Sequence, residues 1–418
     1  MTVTSVEPYR ELVLDKDGDG PAGQADGLAA LARQGCTDLV LFTHGWNNTP
    51  SVASGLFDRF LAPFPATVTA AGVRLGFAGL VWPSVMFSDE RVPDYAALAT
   101  LAPERPEVVA RLAELAGAEP PDEAALVEFA VLLRELTDLA AGMDAGQGAG
   151  GPGLRGAAAG APLPEFLVGD PLAVFAMFAD AAEDTEGIAR SESDEGVAGA
   201  LLGTDRLGRL WKGAKEALRQ ATYFTMKRRA GVVGERGLGP LLGELARTAP
   251  ALRVHLVGHS FGARLVAYAL RGLPAGARNV RSVTLLQGAF SHYAFAARLP
   301  HEPDHGGSLR DLQNRVDGPV VACHSRHDTA LRVFYPLASR VSRDDESLLG
   351  DERRWGAIGY DGVQAVPGTA ARTLAAVLRD GLPAAGCVSV DAAQLVTEHS
   401  DICHAQLARV VARAGRFG

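Results

Sequence analysis

One short segment of the chain has the residue types that make a serine reactive: Gly258-His259-Ser260-Phe261-Gly262, placed directly after the apolar run Leu252–Val257. A serine hydroxyl is a weak nucleophile until a histidine takes its proton, and that histidine needs a carboxylate to fix its tautomer. The serine must also stand on a tight strand-to-helix turn, which crowds its neighbours; Gly258 and Gly262 relieve that crowding. With 48 glycines in 418 residues the pattern is weak alone, and the strand before it and the Ala-rich stretch Ala263–Leu270 after it give it weight.

The acid and the base of such a site follow the serine in chain order, each after a later strand. Asp328 takes the second place, in the turn His324-Ser325-Arg326-His327-Asp328 that follows the run Pro319–His324. His399 takes the third, after Cys387–Val390 and before a C-terminal helix expected over Cys403–Ala412. His404 is the alternative base, disfavoured because it falls within or at the start of that helix. Asp304, Asp311 and Asp317 precede the acid's strand and read as solvated loop residues. A tetrahedral intermediate needs two backbone N–H donors. One is expected from Phe261, directly after the nucleophile. The other is expected from Trp46, because His44-Gly45-Trp46 follows the run Asp38–Thr43 and Gly45 lets the backbone turn.

These residues need a scaffold. Asp38–Thr43, Arg74–Trp82, Leu252–Val257, Val280–Leu286, Pro319–His324 and Cys387–Val390 are short apolar runs that read as buried strands. Helical stretches lie among them, including one opened by Ser51 and running through Phe60, Ala263–Leu270 and Ala370–Arg379. The alternation predicts an α/β fold with a mostly parallel central sheet and helices on both faces.

Residues 1–90 and 231–418 therefore form the expected core, and residues 91–230 read as a helical insertion. Within it Pro121 opens a helix marked by Leu126, Phe129, Leu133 and Leu136 at helical spacing. Leu207, Leu210, Trp211, Ala214 and Leu218 mark a second long helix. Residues 142–164 are almost entirely Gly, Ala and Pro and predict a flexible loop. An insertion of this kind would serve as a cap or lid over the C-terminal strand ends. Lys227-Arg228-Arg229 reads as a solvated helix end.

The net charge of −9 argues against nucleic acid or an anionic membrane as partner. No secretory signal is apparent at the start, and no apolar stretch is long enough to span a bilayer. Cys36, Cys323, Cys387 and Cys403 lack ligand or disulfide spacing and read as reduced thiols, so a cytoplasmic location is expected.

Two segments have the residue types of a metal site. Asp15-Lys16-Asp17-Gly18-Asp19-Gly20, with Asp26 at the twelfth place, spells an EF-hand-like calcium loop. The preceding Glu11–Leu14 reads as a strand end and the last ligand is Asp rather than Glu, so a polar turn before a helix over Ala25–Ala32 explains the same residues. His324, His327 and Asp328 sit in a turn with no further ligand near in sequence. Neither a metal nor a cofactor is expected. His255 and His259, on the strand leading to the serine, read as core or supporting histidines.

The combination HGWNN (His44–Asn48), VWPS (Val81–Ser84), GHSFG, HSRHD and EHSDI resembles bacterial α/β-hydrolases of the esterase and lipase type. The resemblance covers Asp38–Ser84 and Leu252–Ala412 and does not extend to the insertion. It implies an α/β-hydrolase fold, a Ser260–Asp328–His399 triad, and oxyanion donors at Trp46 and Phe261. The expected substrate is a small-molecule carboxylic ester cleaved through an acyl-enzyme. Acyl transfer or amide and peptide cleavage would use the same residues, and a non-catalytic binding or scaffold role on this fold is a further alternative, which a missing triad member would support; the sequence shows none missing.

Overall fold

The protein is described by a computed structural model over residues 4–46, 48–84, 105–117, 122–145, 170–179, 206–328, 330–331 and 356–418. Eight strands form one sheet: β1 (Tyr9–Val13), β2 (Asp38–Thr43), β3 (Leu75–Val81), β4 (Arg253–His259), β5 (Val280–Leu286), β6 (Pro319–His324), β7 (Ala370–Thr373) and β8 (Gly386–Asp391). Their order is β1-β3-β2-β4-β5-β6-β8-β7, and every pairing is parallel. A parallel strand cannot be reached by a hairpin, so each connection crosses over a face and covers it. This explains why the central strands read as unbroken apolar runs: β2 and β3 are buried at every position.

The helices are α1 (Gln24–Arg33), α2 (Pro50–Leu61), α3 (Pro106–Gly117), α4 (Glu123–Ala145), α5 (171–179), α6 (Arg206–Val232), α7 (Gly239–Thr248), α8 (Phe261–Gly272), α9 (Ile358–Asp361), α10 (Leu374–Asp380) and α11 (Ala405–Gly415). On one face of the sheet Val40, Phe42, Val257, Val321 and Val388 pack with Phe57 and Phe60 of α2, Val377 of α10 and Val410 and Val411 of α11. Phe42 stacks on Phe60 at 4.2 Å and meets Phe57 edge-on at 5.7 Å. Each such fully buried side chain contributes about 1.5–3 kcal/mol. The alternate residues of the strands face the other side, where α8 packs on β4 and α7 lies between α1 and α8.

The described residues divide into two compact units, with breaks after Ser84 and between Thr225 and Met226. The sheet belongs to the first. In the second, α3 packs on α4, Arg111 makes two hydrogen bonds to Glu128 at 2.7 and 2.9 Å, and Phe129 meets the edges of Phe175 and Trp211.

Several expectations change. Residues 370–379 are not one helix: 370–373 add β7 at the sheet edge, and Thr373 caps α10 by accepting from Ala376 N–H at 3.2 Å. Edge pairing with β8 overrides the helical preference of the two alanines. Thr49, not Ser51, caps α2, with Pro50 following in its first turn. Residues 142–145 continue α4, and the rest of the Gly/Ala/Pro stretch lies outside the described residues. Leu207 is 38% exposed, whereas Leu210, Trp211, Ala214 and Leu218 are buried. Arg229 is not a solvated helix end: it is buried and donates from Nη1 to Pro83 O at 3.0 Å.

A buried polar network ties the N-terminal edge of the sheet. His255 donates from Nε2 to Asp38 Oδ1 at 2.9 Å and accepts from Ser282 Oγ at 2.9 Å on Nδ1, all three being fully buried. Arg253 and Thr37 also bond to Asp38. Burial alone would raise the Asp38 pKa, but the hydrogen bonds from His255, Arg253 and Thr37 outweigh it and hold the carboxyl below its usual value. Asp38→Leu leaves those donors without an acceptor and is expected to cost about 3–5 kcal/mol in chemical denaturation; a loss under about 1 kcal/mol would show that the network does not anchor this edge.

Candidate active site

Ser260 sits one residue beyond β4 and directly before α8, at φ 56° and ψ −119°. A non-glycine residue in that region stores about 1–3 kcal/mol of strain and stays there only if its surroundings over-determine it. They do. Ser260 N–H donates to Leu286 O at 3.0 Å, and Ser260 O accepts from Ala263 and Ala289 N–H at 3.1 and 3.2 Å. The flanking glycines are there for space: a Cβ on Gly258 would strike the backbone of Gly262, and one on Gly262 would strike the carbonyls of Thr43 and His44.

Three chain segments converge on the Ser260 hydroxyl. His399 Nε2 lies 2.8 Å from Ser260 Oγ, and His399 Nδ1 lies 2.7 Å from Asp328 Oδ2. Asp328 is fully buried, and its second oxygen accepts from Leu331 N–H at 2.9 Å. With Asp328 accepting the Nδ1 proton, Nε2 is left to accept from the serine. The side chain of His399 is 23% exposed, so the imidazole meets solvent while the carboxylate beside it does not.

The loops bearing these residues are fixed to each other. Ser325, at the start of the acid loop, donates from Oγ to Val396 O in the histidine loop at 2.7 Å. Within the histidine loop Asp401 accepts from Thr397 N and Oγ1, both at 3.1 Å, and from His404 Nε2 at 2.6 Å. His404 thus stands at the N-terminal boundary of α11 with its ring held by Asp401, and it is His399 that reaches Ser260.

The loop after β2 is clamped by β3. Trp82 N–H donates to His44 Nε2 at 3.3 Å and Trp82 Nε1–H to His44 O at 3.0 Å. Since Nε2 accepts, the His44 proton is on Nδ1, which donates to Gly45 O at 2.9 Å. Ser84 Oγ donates to Asn48 O at 2.9 Å. Gly45 is pressed against the Ser260 turn, where a Cβ would come 2.7 Å from the Cβ of Ser260. The rings of Trp46 and Phe261 lie 6.1 Å apart, which brings the loops of both expected oxyanion donors together. Sequence patterns alone did not assign roles to Trp82 or Ser325, whose signals lie only in the VWPS and HSRHD runs.

The metal patterns have local explanations. Asp15 Oδ1 accepts from Asp17 and Asp19 N–H at 3.0 and 2.8 Å, which closes a turn, and Asp26 lies in the first turn of α1. His327 is exposed while Asp328 is buried, and His324 lines a separate cavity of about 810 Å³ with Asp361 and Asp391. Among the described residues no group of three or more His, Cys, Asp or Glu side chains could hold a metal. No helix among them is long and apolar enough to cross a membrane. The four cysteines are free thiols; Cys36, Cys323 and Cys387 are buried and Cys403 is half-buried.

Burial lowers the pKa of His44 to about 4 and of His259 to about 3, and it also lowers His255 and His324. The unfolded chain protonates these histidines below about 6.5, whereas the folded chain resists it. Their contribution to stability is complete above about 6.5 and is lost as pH falls toward the folded values. Melting temperature is therefore expected to be level from pH 8 to 7 and to drop steadily between about 6.5 and 4.5; a flat profile across that interval would contradict it.

Compared with protein-family models, curated proteins and solved structures, the chain matches none, so the meaning of the site rests on its own geometry.

Proposed function

We propose that the protein is a serine hydrolase of the α/β-hydrolase fold that cleaves a small-molecule carboxylic ester through an acyl-enzyme. The observation that carries this reading is His399 bridging Ser260 Oγ at 2.8 Å and the buried Asp328 at 2.7 Å. Ser260 Oγ attacks the carbonyl carbon while His399 Nε2 takes its proton, and Asp328 stabilises the imidazolium that forms. The oxygen of the tetrahedral intermediate is assigned to the amides of Trp46 and Phe261, the latter also at the N-terminus of the twelve-residue α8, whose dipole favours negative charge. His399 then returns the proton to the departing alcohol, and a water attacking through the same base releases the acid.

An alternative Ser–His–Asp set, Ser282–His255–Asp38, has comparable distances but is assigned no chemistry. All three residues are fully buried, and they sit toward the N-terminal edge of the sheet. Ligands in parallel α/β sheets bind beyond the C-terminal strand ends, where Ser260, Asp328 and His399 all lie.

Hydrolysis of a panel of p-nitrophenyl esters of increasing acyl length, beside matching anilides, tests the reading. Wild type is expected to turn over at least one ester. Ser260→Ala and His399→Ala should each lower kcat/KM by about 10³-fold or more. Ser282→Ala should leave it unchanged. Turnover that survives Ser260→Ala would place the chemistry elsewhere.

A further inference from the structure

The residue before the nucleophile makes contacts that neither the triad nor the oxyanion loop accounts for. His259 is buried, and its Nε2 lies 2.9 Å from the backbone oxygen of His399. A carbonyl can only accept, so the single proton of this neutral imidazole is on Nε2. The two rings lie 5.0 Å apart. On its other side His259 borders the loop after β2: a Cβ on Gly45 would lie 3.0 Å from its Nδ1. That Nδ1 is itself buried without a hydrogen-bond partner. An orphaned buried acceptor costs about 1–3 kcal/mol, so the site retains the ring despite a penalty a simple apolar side chain would avoid.

The geometry explains what that ring does. Asp328 fixes the rotation of the His399 ring and the Ser325–Val396 bond ties the start of its loop to the loop after β6, but neither ties the backbone of His399 itself to the strand end that carries Ser260. The histidine loop is irregular from Thr397 to His404, and its internal bonds to Asp401 hold its shape rather than its distance from Ser260. The bond from His259 does hold that distance, because His259 is the last residue of β4 and adjoins Ser260 in the chain. Nucleophile and base are thereby referred to one rigid strand end.

We propose that His259 is a positioning residue, and that its Nε2–H bond to the His399 carbonyl sets the reach between Ser260 Oγ and His399 Nε2. The inference rests on reading Ser260, Asp328 and His399 as a working triad. Burial keeps His259 neutral, and proximity to His399 lowers its pKa further, so it does not oppose the positive charge that His399 acquires during reaction.

Two variants separate donor from volume. Glutamine carries its amide nitrogen where the histidine has Nε2; asparagine carries it only as far as Nδ1. The readout is the rate of fluorophosphonate labelling of Ser260 against pH, with melting temperature recorded in parallel. His259→Gln is expected within about threefold of wild type with an unchanged pH profile. His259→Asn is expected to label about tenfold more slowly or worse, the scale of one lost hydrogen bond. Rescue by His259→Gln beside loss in His259→Asn is a contrast that a merely space-filling role for the ring would not produce. A folded His259→Asn variant with wild-type rate overturns the proposal. If His259→Asn does not fold, His259→Gln decides alone: a folded His259→Gln protein labelling tenfold more slowly than wild type overturns it. A wild type that takes no label at all sinks the triad reading itself, and this inference with it.

Discussion

Ser260 occupies a backbone conformation that L-residues avoid, and most of the surrounding architecture serves to keep it there. The turn it makes is too tight for a side chain at Gly258 or Gly262, and its backbone is pinned by Leu286, Ala263 and Ala289. Those partners come from β5, α8 and the loop after β5, so the strain at one residue is distributed over the centre of the sheet. The parallel register of β2, β4, β5, β6 and β8 then delivers every other participant to the same edge. The loop bearing Gly45 leaves β2, the acid loop leaves β6, and the histidine loop leaves β8.

Two sets of serine, histidine and aspartate meet at β4 or the residue after it, and they differ in their surroundings. At the N-terminal end His255 lies between Asp38 and Ser282 with no exposed atom, and its bonds are best understood as a strut between neighbouring strands. At the other end the proposed base, His399, is partly open to solvent while its carboxylate is sealed. Interatomic distance is similar in both. Contact with solvent, through His399, and a strained backbone at the serine are confined to one. Supporting histidines recur around that open end: His44 holds the loop after β2 and His259 holds the histidine loop, and both are kept uncharged by burial.

Much of this was legible from the sequence because the relevant signals are local. An apolar run followed by Gly-His-Ser-Phe-Gly specifies strand, turn and helix, and the neighbours Asp328 and His399 could be picked out by asking which Asp and His follow later strands. His399 was separable from His404 because a residue within or at the start of the C-terminal helix is poorly placed to reach back. What was not legible depends on tertiary partners. β7 is built from Ala-Ala-Arg-Thr, whose own preference is weak, and exists because the edge of β8 is free to pair. Arg229 looked solvated within a basic triplet, yet the carbonyl of Pro83, 146 residues away in the chain, draws it inward. The roles of Trp82 and Ser325 required knowing that β3 adjoins β2, and that the acid loop touches the histidine loop.

Chemical activation of Ser260 by His399 can be tested with a fluorophosphonate probe, without knowledge of the substrate. Purified protein would be treated with the probe and digested, and the adduct located by mass spectrometry, with Ser260→Ala and His399→Ala treated alongside. The expected result is a single adduct on Ser260 in the wild type and none in either variant. A folded wild type that stays unlabelled, or an adduct that persists in the Ser260→Ala protein, would contradict it.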